Sequence, residues 1–355
     1  MNSKKFIAIT IVFTAMFLIS VAYPIIKYDP FFHYHGPVED KEYNLYNQRY
    51  LTDGIIKHFD YDAMIIGTSM TDNFKKSDMD KLFGTNSIKV PLPGASFKEV
   101  DQNIAKAIKA NPDLKTVVRA LDFVNFYADK DYMSYDKDLY PEYLYDNNIF
   151  NDVKYIFDKQ VLTQSVIGDV LLFTKDGNIT TNFDDYSSWS KMYLFNKNAT
   201  LSTYQRPESI AEMDTFKDEY KEDVYGNTYQ NIIDVAKANP DVEFYYFYTP
   251  YSIAYFDREY REGRLVRNID SVEYATELIL NECPNIKLYS FFGLTDVITN
   301  LDNYKDIIHY SDLVNTKILE WMKDDIGLLT KENYKEHFDF MREFYLNYDY
   351  DSIFE

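Results

Sequence analysis

Cysteine is almost absent: Cys283 is the only one in 355 residues. A lone thiol forms no internal disulfide, which excludes both a disulfide scaffold and a thiolate metal cluster. Positive charge is scarce too. Lys and Arg number 37 against 57 Asp and Glu, a formal net charge of −20, and no basic cluster stands out. Binding a phosphate backbone needs cations that displace counterions, so nucleic acid is excluded as a partner. Glycine and proline, at 11 each, build no Gly/Ser linker, and no long repeat is present. The P-loop, the Gly-x-Gly-x-x-Gly turn and the Gly-x-Ser-x-Gly nucleophile elbow are all missing. What the chain does have is apolar residue, 46% of the total with 17% aromatic. That is enough to bury a core and excludes wholesale disorder. The 34 Tyr and 26 Phe go with a general richness in Asn, Lys, Asp and Ile of the kind an A+T-rich genome encodes, so they are no argument for a sugar-binding surface.

Lys4 and Lys5 precede an uncharged run over residues 6–26. About twenty residues rising about 1.5 Å each reach about 30 Å, the thickness of a bilayer's hydrocarbon core. Residues 1–27 therefore read as a cytoplasmic tip and a transmembrane anchor. The flanking lysines favour the cytoplasmic side, which puts the rest of the chain outside the cytoplasm. A cleaved signal peptide is the other reading, with Ser20-Val21-Ala22 as a small-x-small cleavage site and a secreted product. The length of the apolar run favours the anchor.

Residues 28–60 are aromatic and polar without clear periodicity and read as a lead-in segment. Residues 62–67 form a short apolar run ending in Gly67, a buried strand, and a polar helical segment follows, closed by Gly84. The pentapeptide Lys-Ala-Asn-Pro-Asp occurs twice, at 109–113 and 237–241. Each copy follows an amphipathic helical stretch and precedes a β-branched or aromatic run. Asn and Pro stop a helix, so both copies mark helix-to-strand junctions. Strands separated by helices predict an α/β architecture with a mostly parallel sheet covered on both faces. On this reading an α/β domain spans 61–326, interrupted by a Tyr-, Asp- and Asn-rich insertion at about 127–205, and 327–355 form a helical tail.

Ligands of an open parallel sheet bind beyond the carboxyl ends of its strands. Ser69, in Gly67-Thr68-Ser69, stands there after the first strand, where the N–H groups of the next turn can hold an oxyanion. Of the five histidines, only His309 has an acid three positions before it, Asp306. One turn can present both side chains, the carboxylate fixing the imidazole tautomer while the other ring nitrogen faces a nucleophile. The pair follows the last predicted strand and precedes a final helix. His33 and His35 have the spacing of a metal pair on a strand, but nothing adjacent supplies a third ligand, so neither metal nor cofactor is expected.

Strand–Gly-Thr-Ser69 near the start and Asp306-x-x-His309 near the end resemble the first and last blocks of the SGNH/GDSL hydrolase superfamily. The stretches DPFFHYH and YDAMIIGTSMTDNF are similar to a group of membrane-anchored SGNH-like proteins of Gram-positive bacteria. The resemblance implies a flavodoxin-like three-layer α/β/α domain. It also implies a serine nucleophile at Ser69 served by His309 and Asp306, with acyl esters of envelope polysaccharide or related glycopolymers as substrate. The Ser69 and Gly94 N–H groups would form the oxyanion hole. In the third block Asp122 stands where the family has Asn, and an ionised carboxylate cannot donate to an oxyanion, so Asn125 is the candidate third donor. Thr68 stands where the first block usually has Asp. Asp122, Tyr251 and Ser252 are expected to border the substrate cleft. Two functions stay open: an extracytoplasmic serine esterase or O-acyltransferase, and a non-catalytic SGNH-like domain that binds or scaffolds a glycan-modifying system. Oligomeric state is not legible.

Overall fold

The structure, a computed structural model, describes residues 3–38, 43, 45, 47–135, 140–146, 148–163 and 182–355. Its contacts divide the chain into two units, Met1–Phe59 with Asp136–Asn182 and Asp60–Tyr135 with Phe183–Glu355. Of the insertion expected at 127–205, the middle thus groups with the N-terminal segment and both ends group with the sheet. Residues 164–181 of it lie outside the described residues.

In the first unit, helix Ser3–Tyr28 is long and apolar enough to cross a membrane. A buried carboxylate shapes the loop after it. Asp29 accepts the backbone N–H groups of His33, Tyr34 and His35 and the Tyr155 hydroxyl, so the loop's donors are satisfied without water. His33 Nε2 meets Asp152 at 3.2 Å, and both ring nitrogens of His35 face carbonyl oxygens, of Gly36 and Ile26. Both histidines have structural partners here. In helix Gln48–His58, Gly54 lies against the carbonyls of Phe31 and Phe32, where a Cβ has no room.

The second unit is built on a six-stranded sheet: β1 Ala63–Gly67, β2 Ser87–Pro91, β3 Thr116–Leu121, β4 Glu243–Tyr248, β5 Ile286–Ser290 and β6 Leu328–Leu329. The order is β2-β1-β3-β4-β5-β6. The first five strands run parallel and β6 pairs antiparallel to β5. β6, only two residues long, falls in the stretch read from sequence as the start of the tail; a run that short has no period to detect. β1 is buried at all five positions, as a central strand covered on both faces must be. Helix Phe97–Ala110 begins at Ser96, whose hydroxyl accepts the Glu99 N–H, and buries Phe97, Val100, Ile104 and Ala107 on one stripe. It stops at Asn111, held extended by the following proline. The second Lys-Ala-Asn-Pro-Asp copy likewise ends helix Asp234–Ala238 at its Asn239, before β4. In the tail, helix Tyr334–Asn347 buries Tyr334, Phe338, Met341 and Tyr345 at helical spacing.

Because β2 and β3 flank β1, the chain leaves β1 toward one side and returns on the other. The crevice between the carboxyl ends of β1 and β3 is the switch point, where such sheets hold ligands.

Candidate active site

β1 ends at Gly67, where a Cβ would press on the Thr71 and Ala120 side chains; only glycine lets the chain turn off the sheet this close to β3. A single 3-10 turn, Ser69–Thr71, follows in place of the longer helix expected there, and the next helix begins at Lys76. Thr68 bridges the crevice. Its hydroxyl donates to Asp122 Oδ2 (2.7 Å) just after β3 and accepts the Met70 N–H (3.4 Å). This leaves Ser69 half-buried at the rim.

From the far end of the chain, residues 304–310 fold into a small loop closed by the Tyr304–Tyr310 bridge. Asp306 Oδ1 accepts the N–H groups of Ile308 and His309 (2.9 and 2.8 Å), and its oxygens take His309 Nδ1 at 3.0 and 2.9 Å. Nδ1 therefore carries the proton and Nε2 is left as an acceptor, 2.9 Å from Ser69 Oγ. Burial alone would raise the Asp306 carboxyl, but the hydrogen bonds and charge of His309, with Lys305 adding to them, hold it well below the usual carboxylate range. Asp306 stays ionised and can balance an imidazolium.

Cross-links fix the two halves. Ser252 donates from both its hydroxyl and its backbone N–H to the Ile307 carbonyl (2.7 and 3.2 Å). Tyr310 and Asn315 both donate to the Met70 carbonyl in the serine turn (3.3 and 3.1 Å).

Three residues expected at the cleft are not on it. Asp122, Tyr251 and Ser252 are buried, at 3%, 2% and 0% exposure. Asp122 takes Thr68 on one oxygen and Tyr251 (2.7 Å) on the other, so this carboxylate braces the Ser69 turn from beneath. Burial pushes it upward against those two hydroxyl bonds. Tyr251 is spent on Asp122 and Ser252 on the histidine loop. Gly94 lies in the exposed turn after β2 with φ +69°, and the Asn125 amide donates to the neighbouring Ala95 carbonyl at 3.3 Å. Gly94 and Asn125 thus belong to adjoining turns at the carboxyl edge that also carries Ser69.

Further functional candidates had gone unmarked in the sequence. Asp72 and Asn73 hold a strap over 187–195. Asp72 accepts Ser187 Oγ (2.8 Å) and Trp189 Nε1 (3.1 Å), and Asn73 Oδ1 accepts the N–H groups of Trp189 and Ser190. Trp189 packs edge-on against the His309 ring, centroids 5.5 Å apart. Beneath lies Lys89, fully buried, its ammonium directed at the carbonyls of Asp72, Phe74 and Asp184. Burial drives Asp72 up and Lys89 down, each to about 7, while their mutual attraction opposes both shifts. The visible signal was Ser-Ser-Trp at 187–189, with no indication of its neighbour. Among the described residues no group of three or more His, Cys, Asp and Glu is arranged to hold a metal ion.

No protein-family model matches the chain, and no curated protein matches it. Among solved structures, a protein from Streptococcus pneumonia, provisionally named a platelet activating factor, aligns over 90% of this chain and 99% of its own. The identity is 11% and the TM-score 0.34, too loose a likeness to bear on fold or chemistry.

Proposed function

We propose that this chain is a membrane-tethered serine esterase or O-acyltransferase of SGNH type, with the second unit outside the cytoplasm. The observation that carries the proposal is the continuous relay Asp306–His309–Ser69, with Nδ1 on the carboxylate and Nε2 at 2.9 Å from a half-exposed serine oxygen. Strand order 2-1-3-4-5, with the serine at the switch point, is the order of flavodoxin-like sheets and supports the fold assignment.

In this reading Ser69 Oγ attacks an ester carbonyl carbon as its proton passes to His309 Nε2, and Asp306 balances the imidazolium. The carbonyl oxygen becomes an oxyanion, received by the Ser69 and Gly94 N–H groups with the Asn125 amide as third donor. As the tetrahedral centre collapses, the C–O bond to the alcohol breaks and His309 returns the proton to that oxygen, leaving acyl-Ser69. Water then completes hydrolysis, or a sugar hydroxyl completes transfer. The favoured substrate class is acyl esters of envelope polysaccharide. The net charge of −20 favours neutral or cationic polymers over polyanionic ones.

A non-catalytic binding domain has one observation on its side: Asp122 occupies the third-block position and offers no donor. Against it stands the full set of tautomer-fixing contacts on His309, which binding alone does not require. Fluorophosphonate labelling decides between them. Labelling of the wild type, lost in Ser69→Ala, supports the enzyme; absence of labelling in folded wild type overturns it. Release of acetate from purified envelope polymers by wild type and not by Ser69→Ala tests the substrate class.

A further inference from the structure

The triad carboxylate has a second cation on it. Lys305 Nζ is 2.8 Å from Asp306 Oδ2, the oxygen that also takes His309 Nδ1 at 2.9 Å. The ammonium is held from the other side by two aromatic faces of the strap, 4.9 Å from the Trp189 ring centroid and 4.5 Å from that of Tyr193. Such faces attract a cation. Trp189 in turn is fastened through Asp72 and Asn73 and rests its edge on His309. The Lys305 side chain is 16% exposed, so its charge is poorly screened by water.

Two consequences follow from charge and geometry. When His309 takes the serine proton, two cations share one carboxylate, and the ammonium opposes charging of the ring. At the same time Oδ2 gains a donor that fixes its direction, while Oδ1 is already fixed by two backbone N–H groups. The other titratable groups whose charge reaches His309 are Asp72 from the serine turn and Asp122 from the end of β3, both carboxyls pushed upward by burial. Lys305 is the cation on the Asp306 carboxylate itself.

We propose that Lys305 is a positioning residue that sets the pH at which His309 is free to act as base, through their shared oxygen of Asp306, and that the Trp189–Tyr193 strap holds it there. This rests on the serine-hydrolase reading for its activity readout, so the test includes a second, independent one. With the full chain in detergent, kcat/KM for p-nitrophenyl acetate is followed against pH in wild type, Lys305→Met, Lys305→Gln and Lys305→Arg. In a Trp321→Phe background, Trp189 is the only tryptophan, and the part of its fluorescence change with pH that His309→Gln abolishes reports the packed imidazole, apart from Asp72, which accepts its indole N–H. Loss of the ammonium in the Met and Gln variants is expected to move the acidic limb and the fluorescence midpoint to higher pH by roughly 0.5 to 1 unit. Arg is expected to restore the wild-type positions, and Tyr193→Leu to give a smaller shift of the same sign. Gln keeps a donor for Asp306 without charge, so it separates charge from packing should the Met variant fold poorly. Limb and midpoint both unmoved in an active Gln variant overturn the role of Lys305. Absence of hydrolysis with a displaced midpoint overturns the serine reading and leaves Lys305 standing; absence of both effects overturns both.

Discussion

Ser69 meets His309 at 2.9 Å, and Ser290 meets His337 at 2.8 Å. Both serines stand at carboxyl ends of strands, after β1 and at the end of β5. The resemblance stops there. Ser69 and His309 are half-open to solvent, and Asp306 holds His309 Nδ1. Ser290 is 1% exposed, and no carboxylate among the described residues lies within ion-pair distance of His337. Burial pushes His337 down to about 4, so its ring is neutral and accepts a proton reluctantly. A cavity of about 550 Å³, with Asp325 and Glu336 in its wall, opens at His337. A serine–histidine contact is therefore not a reaction centre by itself. The Ser69 pair differs in having a carboxylate on the far ring nitrogen and a serine open to solvent.

The largest expected effect separates the two pairs outright. Ser69→Ala is expected to lower ester hydrolysis by about 10³-fold or more, while Ser290→Ala leaves it within about threefold; equal losses in a steady-state assay would erase the distinction. Asp306→Asn comes next. It preserves shape but loses the charge that fixes the Nδ1–H tautomer, and a fall of about 10² to 10⁴-fold in kcat is expected, with protein still folded by circular dichroism. Asp122→Ala tests the brace beneath Ser69. It strands the buried Thr68 and Tyr251 hydroxyls, so urea unfolding is expected to show a loss on the order of 3 kcal/mol, with Tyr251→Phe costing about 1 kcal/mol.

A pH dependence tells the two imidazoles apart. His337 titrates near 6.5 in an unfolded chain and about 4 when folded. As pH falls through this window the unfolded chain binds a proton that the folded one refuses, so stability is lost. His337→Gln is expected to remove a loss on the order of 2 kcal/mol between about pH 6.5 and 4, read as a flatter melting temperature against pH. Asp306 acts lower. Its carboxyl is held down in the folded state, so its contribution is present above about pH 4 and declines as the pH falls further.

Much of the frame was legible in advance. The apolar run of β1, the two Lys-Ala-Asn-Pro-Asp stops and the aromatic stripe of Tyr334, Phe338, Met341 and Tyr345 each arise from contacts within a few residues, and period and punctuation report those. Ser69 and the Asp306–His309 turn were marked for the same reason: each is a local arrangement at a strand's end. The insertion boundaries and β6 were not, because they depend on which distant segment the chain packs against.

Sequence alone determined strands β1, β3 and β4, the helices that precede β3 and β4, the apolar N-terminal segment and the two halves of the candidate relay, since hydrogen bonding and side-chain spacing over a turn or a pleat settle those. Tertiary structure decided everything that depends on a partner far along the chain. It turned Asp122, Tyr251 and Ser252 from cleft residues into buried braces, and it set Trp189 and Lys305 against the triad. It also buried Arg119 of β3 between the Phe97 and Tyr246 rings, donating to the carbonyls of Asn231 and Phe97. A polar side chain becomes a brace, a base or a surface group according to which acceptor the fold brings within hydrogen-bonding distance and how much water it leaves there.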